Sequence, residues 1–315
     1  MSSRLLQVQS RRQLGTFAGL IALCLILWAA TPHFLTVSNL LNVLEQTAIN
    51  AIVAVGMTFV IISGGIDLSV GSVLALSGIA LGRALQSGAP VPVAIALALS
   101  VGLACGLANG ALVTFGRLPP FIATLGMMSV ARGAALMLAE GRPISGFDDG
   151  FRMLATGRVL MLPAPAIIAG LIYAVAHFVL GHTVFGRAAY AIGGNEEAAR
   201  LSGVHVRYHK TAIYGVAGLM SAAAAVVLTA RLNSAQPTAG TMYELDAIAA
   251  TVIGGTSLLG GEGTIIGALI GALIMGVLRN GLNLLDVSSF FQQVVIGVVI
   301  IGAVLVDMSL KRHRR

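Results

Sequence analysis

The polar sequence GGNEEAARLSG, at residues 193–203, predicts a short surface helix in an otherwise apolar chain. Asn195 is a good N-cap, and the two glutamates that follow it place negative charge where a helix dipole favours it. Arg200 lies four residues after Glu196, a spacing that favours an ion pair, and Gly203 is a natural stop signal. Because two turns of helix are marginal in water, we expect this helix to rest against a partner or against the rest of the chain. A loop helix with a purely structural role is the alternative.

A second feature is the sequence GMTFVIISGGIDLSVGS, in which Gly64 and Gly65 interrupt an apolar run and Asp67 follows at once. Paired glycines at membrane depth indicate a broken helix, which is tolerated where protein or a water-filled cavity surrounds it. An ionisable group at such a break is a functional hypothesis by default. The alternative is that Asp67 caps the next helix by accepting the main-chain N–H of Ser69 or Val70.

The glycines Gly254 and Gly255 begin another glycine-rich break. Upstream of it, Gln236, Glu244 and Asp246 form a polar set that the charge distribution places on the outer side of a membrane. Such side chains suit either sugar hydroxyls or a docking protein, and ordinary solvated loop chemistry competes with both interpretations.

Several motifs of enzymes are absent from the sequence. Neither lysine follows a glycine, so no GxxxxGK[ST] loop can hold nucleotide phosphates. HExxH and GxSxG do not occur, the six histidines form no ligand pattern, and Cys24 and Cys105 lie inside apolar runs. We therefore expect no catalysis and no cofactor or metal on this chain. The dispersed arginines form no basic stripe, which argues against a nucleic-acid partner.

The composition of the chain indicates the kind of structure in which these residues lie. Of 315 residues, 57% are apolar and only 10% are charged, with a mean hydropathy of +0.93, so the chain must face lipid. A bilayer core is crossed by about 20 apolar helical residues. The sequence predicts an all-α polytopic membrane protein with about ten transmembrane helices, broken or re-entrant near the two glycine pairs. The predicted spans are 14–30, 43–62, 66–82, 91–115, 119–139, 163–181, 211–230, a short run at 246–259, 263–278 and 290–307.

Glycines at four-residue spacing recur at Gly102, Gly106 and Gly110, and again at Gly267 and Gly271. Such patterns are typical of close helix contacts. Packing within the chain is favoured over contact between two copies.

An even number of spans places both termini on one side of the membrane. Twelve of the 19 Lys and Arg residues fall on the side of the termini, which the positive-inside rule makes cytoplasmic. The predicted organisation is a cytoplasmic segment 1–13, one transmembrane domain 14–307 with a cytoplasmic loop 182–210, and a basic cytoplasmic tail 308–315.

Five motifs together resemble one known family. They are AVGMTFVIISGGIDLSVGS at 54–72, FIATLGMM at 121–128, GGNEEAARLSGV at 193–204, SAQPTAGTMYELDAIAATVIGGTSLLGG at 234–261 and NGLNLL at 280–285. They resemble the permease subunit of bacterial ribose-type sugar ABC importers, over residues 35–307.

This resemblance implies a multi-pass protein of the bacterial inner membrane, in which two permease copies form the pathway. A periplasmic sugar-binding protein would deliver a monosaccharide, ribose or a related pentose, and a cytoplasmic ABC ATPase would power its release. The residues that match the ATPase-docking loop, called the coupling helix, are Gly194, Asn195, Glu196, Ala198, Ala199, Ser202 and Gly203. Candidates for the helix break or the sugar path are Gly64, Gly65, Asp67, Ser69, Asn109 and Thr124.

The competing class is a secondary transporter driven by protons or sodium. Its relay would consist of Glu45, Asp67 and Arg132, and it would transport with an ion gradient and no ATP.

Overall fold

The structure, a computed structural model, describes residues 3–312 and the side chains of residues 14–302, 304 and 305. Residues 1, 2 and 313–315, which belong to the predicted N-terminal segment and basic tail, lie outside the described residues. The helices are α1 Ser3–Ala30, α2 Val37–Ile62, α3 Val70–Gln86, α4 Val91–Thr114, α5 Pro120–Leu138, α6 Asp149–Thr156, α7 Ala164–His182, α8 Val184–Gly194, α9 Glu196–Leu201, α10 Val206–Leu232, α11 Tyr243–Ile253, α12 Ile265–Leu284 and α13 Ser289–Arg312. Short strands pair β1 Ile144–Ser145 with β4 Ser234–Ala235, and β2 Arg158–Val159 with β3 Leu162–Pro163.

The predicted all-α polytopic architecture is confirmed. Six helices, α2, α4, α5, α7, α10 and α12, are long and apolar enough to cross a membrane. Shorter apolar helical stretches at Leu14–Ala30, Val70–Gln86 and Ser289–Gly302 coincide with three more predicted spans. The eighth predicted span is the 11-residue helix α11, which is about 16 Å long and too short to cross alone. The number of ten spans is therefore not established.

Helices α2 and α10 form the centre of the bundle. In the most apolar stretch of α2, 83% of residues are buried, against 22% in α4 and in α5. Exposed apolar side chains such as Leu97, Phe121 and Val130 give α4 and α5 an outer surface suited to lipid. The central helices therefore face mostly protein, with 67% of the corresponding stretch of α10 also buried, while the peripheral ones face the bilayer.

The close contact predicted from the α4 glycines is confirmed, and it lies within the chain. A Cβ added to Gly102 would lie 2.4 Å from the carbonyl oxygen of Gly218, and one on Gly106 would lie 2.2 Å from that of Tyr214. Only glycine permits α4 and α10 to approach so closely. This contact anchors α10, which begins at Val206 within the predicted polar loop 182–210.

Both predicted helix breaks are confirmed. Helix α2 ends at Ile62, where Gly64 takes φ +77° and turns the chain toward α3. Helix α11 ends at Ile253, and Gly255, at φ +90°, opens the connection to α12. Each break places a polar loop against the end of a buried helix.

Candidate functional site

The predicted loop helix is present as α9, and its ends form as the sequence predicts. Asn195 has extended backbone angles, and its Oδ1 accepts the main-chain N–H of Ala198 at 2.9 Å. At the other end Gly203 takes φ +87°, and the N–H of Val204 donates to the carbonyl of Ala199. A polar cap and a left-handed glycine thus delimit a helix of six residues.

Helix α9 rests on the protein through one residue and exposes the rest. Ala199 is 5% exposed and packs in a small cluster with Ile192, Val204 and Val206. The other residues proposed for coupling, Gly194, Asn195, Glu196, Ala198, Ser202 and Gly203, are all exposed. Leu201 is 79% exposed, although contact of a leucine side chain with water is unfavourable. The helix therefore presents a mixed polar and apolar face.

The charges on α9 pair differently from the expectation. Arg200 binds Glu197 in the structure, not Glu196, and this hydrogen bond and charge raise the pKa of the Arg200 guanidinium. Glu196 instead accepts from Nζ of Lys210 in α10 at 2.7 Å. Lys210 was missed because its partner is 14 residues away and only the fold joins them. A cavity of about 400 Å³ lies beside this pair, bordered also by Arg117 and by Arg200.

The last turn of α8, just before α9 in the chain, meets the two glycine-containing loops, and we call this contact the glycine junction: Ile62, Gly64, Gly193, Gly260 and Gly261. The N–H of Gly261 donates to the carbonyl of Ile62 at 2.8 Å. A Cβ on Gly193 would lie 1.7 Å from that same carbonyl oxygen, and one on Gly260 would lie 3.0 Å from the Cα of Gly193. The end of α8 is therefore in main-chain contact with both helix breaks.

The break after α2 brings four of the predicted residues together in a buried cluster: Asp67, Ser69, Asn109 and Thr124. Asp67 is 1% exposed, and its Oδ1 accepts the main-chain N–H of Ser69 at 2.8 Å and the Ser69 hydroxyl at 2.6 Å. Asn109, from α4, donates to the Ser69 hydroxyl oxygen at 2.8 Å. Thr124, from α5, donates to the carbonyl of Pro120 in its own helix and lies 3.4 Å from the carbonyl oxygen of Ile66, next to Asp67. The carboxylate makes the capping interaction that the sequence allowed, and a role in the sugar path stays a prediction.

The polar set predicted for the outer side is not one cluster. Asp246 is 2% exposed, and both its oxygens accept from Nη2 of Arg279 at 2.6 and 2.8 Å. Asn50 of α2 adds a longer contact to the same carboxylate. Gln236 is exposed at the end of β4, and Glu244 is half-buried in the first turn of α11. Their place on the outer side stays a prediction.

Three arginines that fall just beyond the predicted spans 66–82, 211–230 and 263–278 lie inside helices in the structure. They are Arg83 of α3, Arg231 of α10 and Arg279 of α12. A long side chain can reach a partner or the interface from within a span, so the arginine need not lie in a loop. Arg279 could not be recognised as the partner of Asp246, 33 residues upstream, from local sequence.

Arg132 of α5 has main-chain partners. Its Nη1 donates to the carbonyls of Pro237 at 2.6 Å and Ala239 at 2.8 Å. In the ion-driven alternative this residue would form a relay with Glu45 and Asp67, but its hydrogen bonds hold a loop instead. Among the described residues no group of three or more His, Cys, Asp and Glu could hold a metal ion.

A multi-pass helical bundle with buried helix breaks and short polar helices beyond its spans is the architecture expected of a membrane permease. Residues 39–304 match the family described as the permease component of branched-chain amino acid transport systems, and the chain belongs to this family. It is accordingly a multi-pass protein of the inner membrane and a transport component, not an enzyme.

Relatives within the family are named for sugars. The chain is 51% identical to the ribose import permease of Bacillus subtilis, over 98% of each chain. It is 50% identical to the ribose import permease of Escherichia coli K12, over 91% of each chain. Identity to the xylose transport permease of the same strain is 37%, over 94% of this chain and 91% of the relative. No solved structure matches the chain.

Proposed function

We propose that this chain is the membrane-spanning subunit of an ATP-binding-cassette importer for ribose or a closely related pentose. The observation that carries the substrate is the 51% identity to a ribose permease over nearly the whole chain, against 37% for permeases named for allose and xylose. Equal identity to the ribose, allose and xylose permeases would not have favoured one sugar over the others.

The ATPase belongs to a separate cytoplasmic subunit, since this sequence has no phosphate-binding loop. Helix α9 is its docking site. Ala199 fixes the helix on the permease, while the exposed residues from Asn195 to Gly203, with Leu201 outermost, are free to enter a groove on the partner. A short helix held at both ends makes a rigid contact that can transmit force.

Coupling requires that ATP binding favour one arrangement of the permease over another. The glycine junction supplies the mechanical link. A displacement of α8 and α9 acts through Gly193 on the carbonyl of Ile62, and through Gly261 on the loop before α12. Movement at the ATPase surface thus reaches both helix breaks through main-chain contacts, which cannot yield by rotating a side chain.

On the opposite side, a periplasmic binding protein delivers the sugar, and a second permease copy completes the pathway. Sugars are neutral and rich in hydroxyl groups, so their passage needs several weak polar contacts in sequence. A single tight pocket would hold the sugar and slow its release.

The test is uptake by the reconstituted complex of this chain with its ATPase and binding protein in proteoliposomes. Uptake of labelled ribose should require ATP, and unlabelled ribose should compete better than xylose or allose. Uptake driven by a proton or sodium gradient without ATP would instead indicate a secondary transporter. Preferential uptake of allose or xylose would overturn the assignment of ribose. Thermal-shift measurements on the binding protein with pentoses, hexoses and polyols check the sugar independently.

A further inference from the structure

Residues 236–242, here called the re-entrant segment, join β4 to α11 without forming a helix. The segment begins beside the outer end of α3, where a Cβ on Gly82 would lie 2.9 Å from Cβ of Ala235. It ends much deeper, where a Cβ on Gly71 would lie 2.1 Å from the carbonyl oxygen of Gly240. Gly71 and Gly82 are eleven positions apart in α3, a distance of about 16 Å, so the segment runs inward along most of that helix, as a series of turns in which the N–H of Ala239 donates to the carbonyl of Gln236.

The depth of the segment is confirmed by Arg132. This residue lies twelve positions after the start of α5 at Pro120, about 18 Å along a path of roughly 30 Å through the hydrocarbon core. Its guanidinium binds the carbonyls of Pro237 and Ala239. The main chain of the re-entrant segment therefore lies near the middle of the bundle.

Non-helical main chain at this depth is tolerated only where it is buried in protein or lines a water-filled cavity. Here Pro237 and Gly240 are buried, but Gln236, Thr238 and Thr241 expose their side chains. These three exposed residues are polar, and the apolar Met242 at the end of the segment is 40% exposed beside them. Lipid would leave their amide and hydroxyl groups without hydrogen-bond partners, which is strongly unfavourable.

We infer that the re-entrant segment is a wall of the sugar path, and that Gln236, Thr238 and Thr241 donate and accept hydrogen bonds with the hydroxyls of the passing sugar. The Thr241 hydroxyl donates to the carbonyl of Thr238, which leaves its oxygen free to accept from a sugar. Gln236 lies nearest the outer end and Thr241 deepest, so the contacts form a series of weak sites. The identity of the ligand rests on the proposed function, whereas the water-filled surface does not.

Arg132 is the positioning residue of this wall. It satisfies two carbonyls that a helix would have satisfied internally, and it holds the segment against α5 while Gln236, Thr238 and Thr241 stay exposed.

The first test measures whether the segment faces water. Cys24 and Cys105 are replaced by alanine, and Thr238→Cys is compared with Val130→Cys, which is 66% exposed on α5 close to the level of Arg132. Both variants are treated with a charged thiol reagent in the complete complex in nanodiscs. Thr238→Cys should react at least about tenfold faster, because the reactive thiolate forms in water and not in lipid. Saturating ribose with its binding protein and ATP should slow that reaction. Equal rates for the two cysteines would overturn the inference.

The second test addresses the sugar contact. Thr238→Val removes the hydroxyl at nearly constant shape and should lower the rate of ribose uptake severalfold, while Thr238→Ser should transport at the original rate. Unchanged uptake in both variants would overturn the hydrogen-bonding role. If ribose is not transported at all but Thr238→Cys still reacts faster than Val130→Cys, the proposed substrate fails and the water-lined wall stands. If ribose is transported and Thr238→Cys does not react faster, the inference alone fails.

Discussion

Lys210 and Glu196 form an asymmetric ion pair at the foot of α10. The Lys210 side chain is 10% exposed, whereas that of Glu196 is 56% exposed. Loss of the lysine would leave a carboxylate that water can solvate, but loss of the glutamate would leave an almost buried ammonium without a counter-charge. Because α9 touches the protein mainly through Ala199, this pair is the polar attachment of the helix. In the proposed function, this pair therefore holds α9 in place for the ATPase.

Reversing the charge of Glu196 should loosen the helix. In Glu196→Lys two ammonium groups would face each other beside a nearly buried position. We expect a loss of about 1 kcal/mol of stability, kept small by the exposure of Glu196, and a marked loss of ATPase binding. Thermal unfolding of the purified permease and copurification of the ATPase measure the two effects.

The matched control for this change is Glu197→Lys, which reverses a charge on the same helix but breaks only the exposed pair with Arg200. The melting temperature of Glu197→Lys should be close to that of the unchanged protein. The exchange Glu196→Lys with Lys210→Glu restores the pair and should recover the melting temperature. Equal melting of the two single variants, or no recovery in the exchange, would refute the role of the ion pair.

The sequence predicts those residue contacts that are made within a few positions along the chain. The Asn195 cap and the Gly203 stop depend on groups three to five residues away, and both were found as expected. The partners Lys210 for Glu196 and Arg279 for Asp246 depend on the packing of separate helices. No local pattern distinguishes them from arginines and lysines at helix ends.

The glycine junction joins the element α8 to the end of α2 and to the loop between α11 and α12. Gly193→Ala would place a methyl group 1.7 Å from the carbonyl oxygen of Ile62, and main-chain atoms on both sides must then move apart. Such overpacking costs about 1–3 kcal/mol. We expect a lower melting temperature, together with ATP hydrolysis that is less tightly coupled to uptake. The number of ATP molecules hydrolysed per sugar imported measures that coupling.

Gly181→Ala, in the last turn of α7, is the control for this variant, since an added Cβ there meets no atom within 4 Å. Both substitutions replace a helical glycine by alanine near the same polar loop. Gly181→Ala should therefore keep the coupling ratio of the unchanged complex. A coupling ratio that is equal in both variants would show that the junction does not transmit movement.

The sequence located the eighth predicted element but not its full extent. It predicts residues 246–259 as a short apolar run, and the structure has the short helix α11 at Tyr243–Ile253, preceded by the re-entrant segment. The non-helical segment carries Gln236, Pro237 and Thr238, so hydropathy does not mark it as part of a span. Its membrane depth follows only from the contacts of Gly240 with Gly71 and of Arg132 with two carbonyls.

The whole molecule has two polar ends that the long apolar helices separate. One end carries α9 and the loop 182–210, and the other carries α6 and the β2–β3 hairpin. Helix α7, at Ala164–His182, is the only element between the hairpin and the start of α8. The ATPase must meet the first end and the binding protein the second, so the proposed function requires them on opposite sides.

This arrangement predicts opposite labelling of two exposed leucines. Leu160, at the tip of the β2–β3 hairpin, is 92% exposed, and Leu201, on α9, is 79% exposed. In a background with Cys24 and Cys105 replaced by alanine, an impermeant maleimide should label Leu160→Cys in intact spheroplasts. It should label Leu201→Cys only after permeabilisation. The reverse pattern would place α9 outside, away from any ATPase, and contradict the proposed coupling. Labelling of both from one side would mean that α7 does not cross the membrane, because a single crossing must separate its two ends.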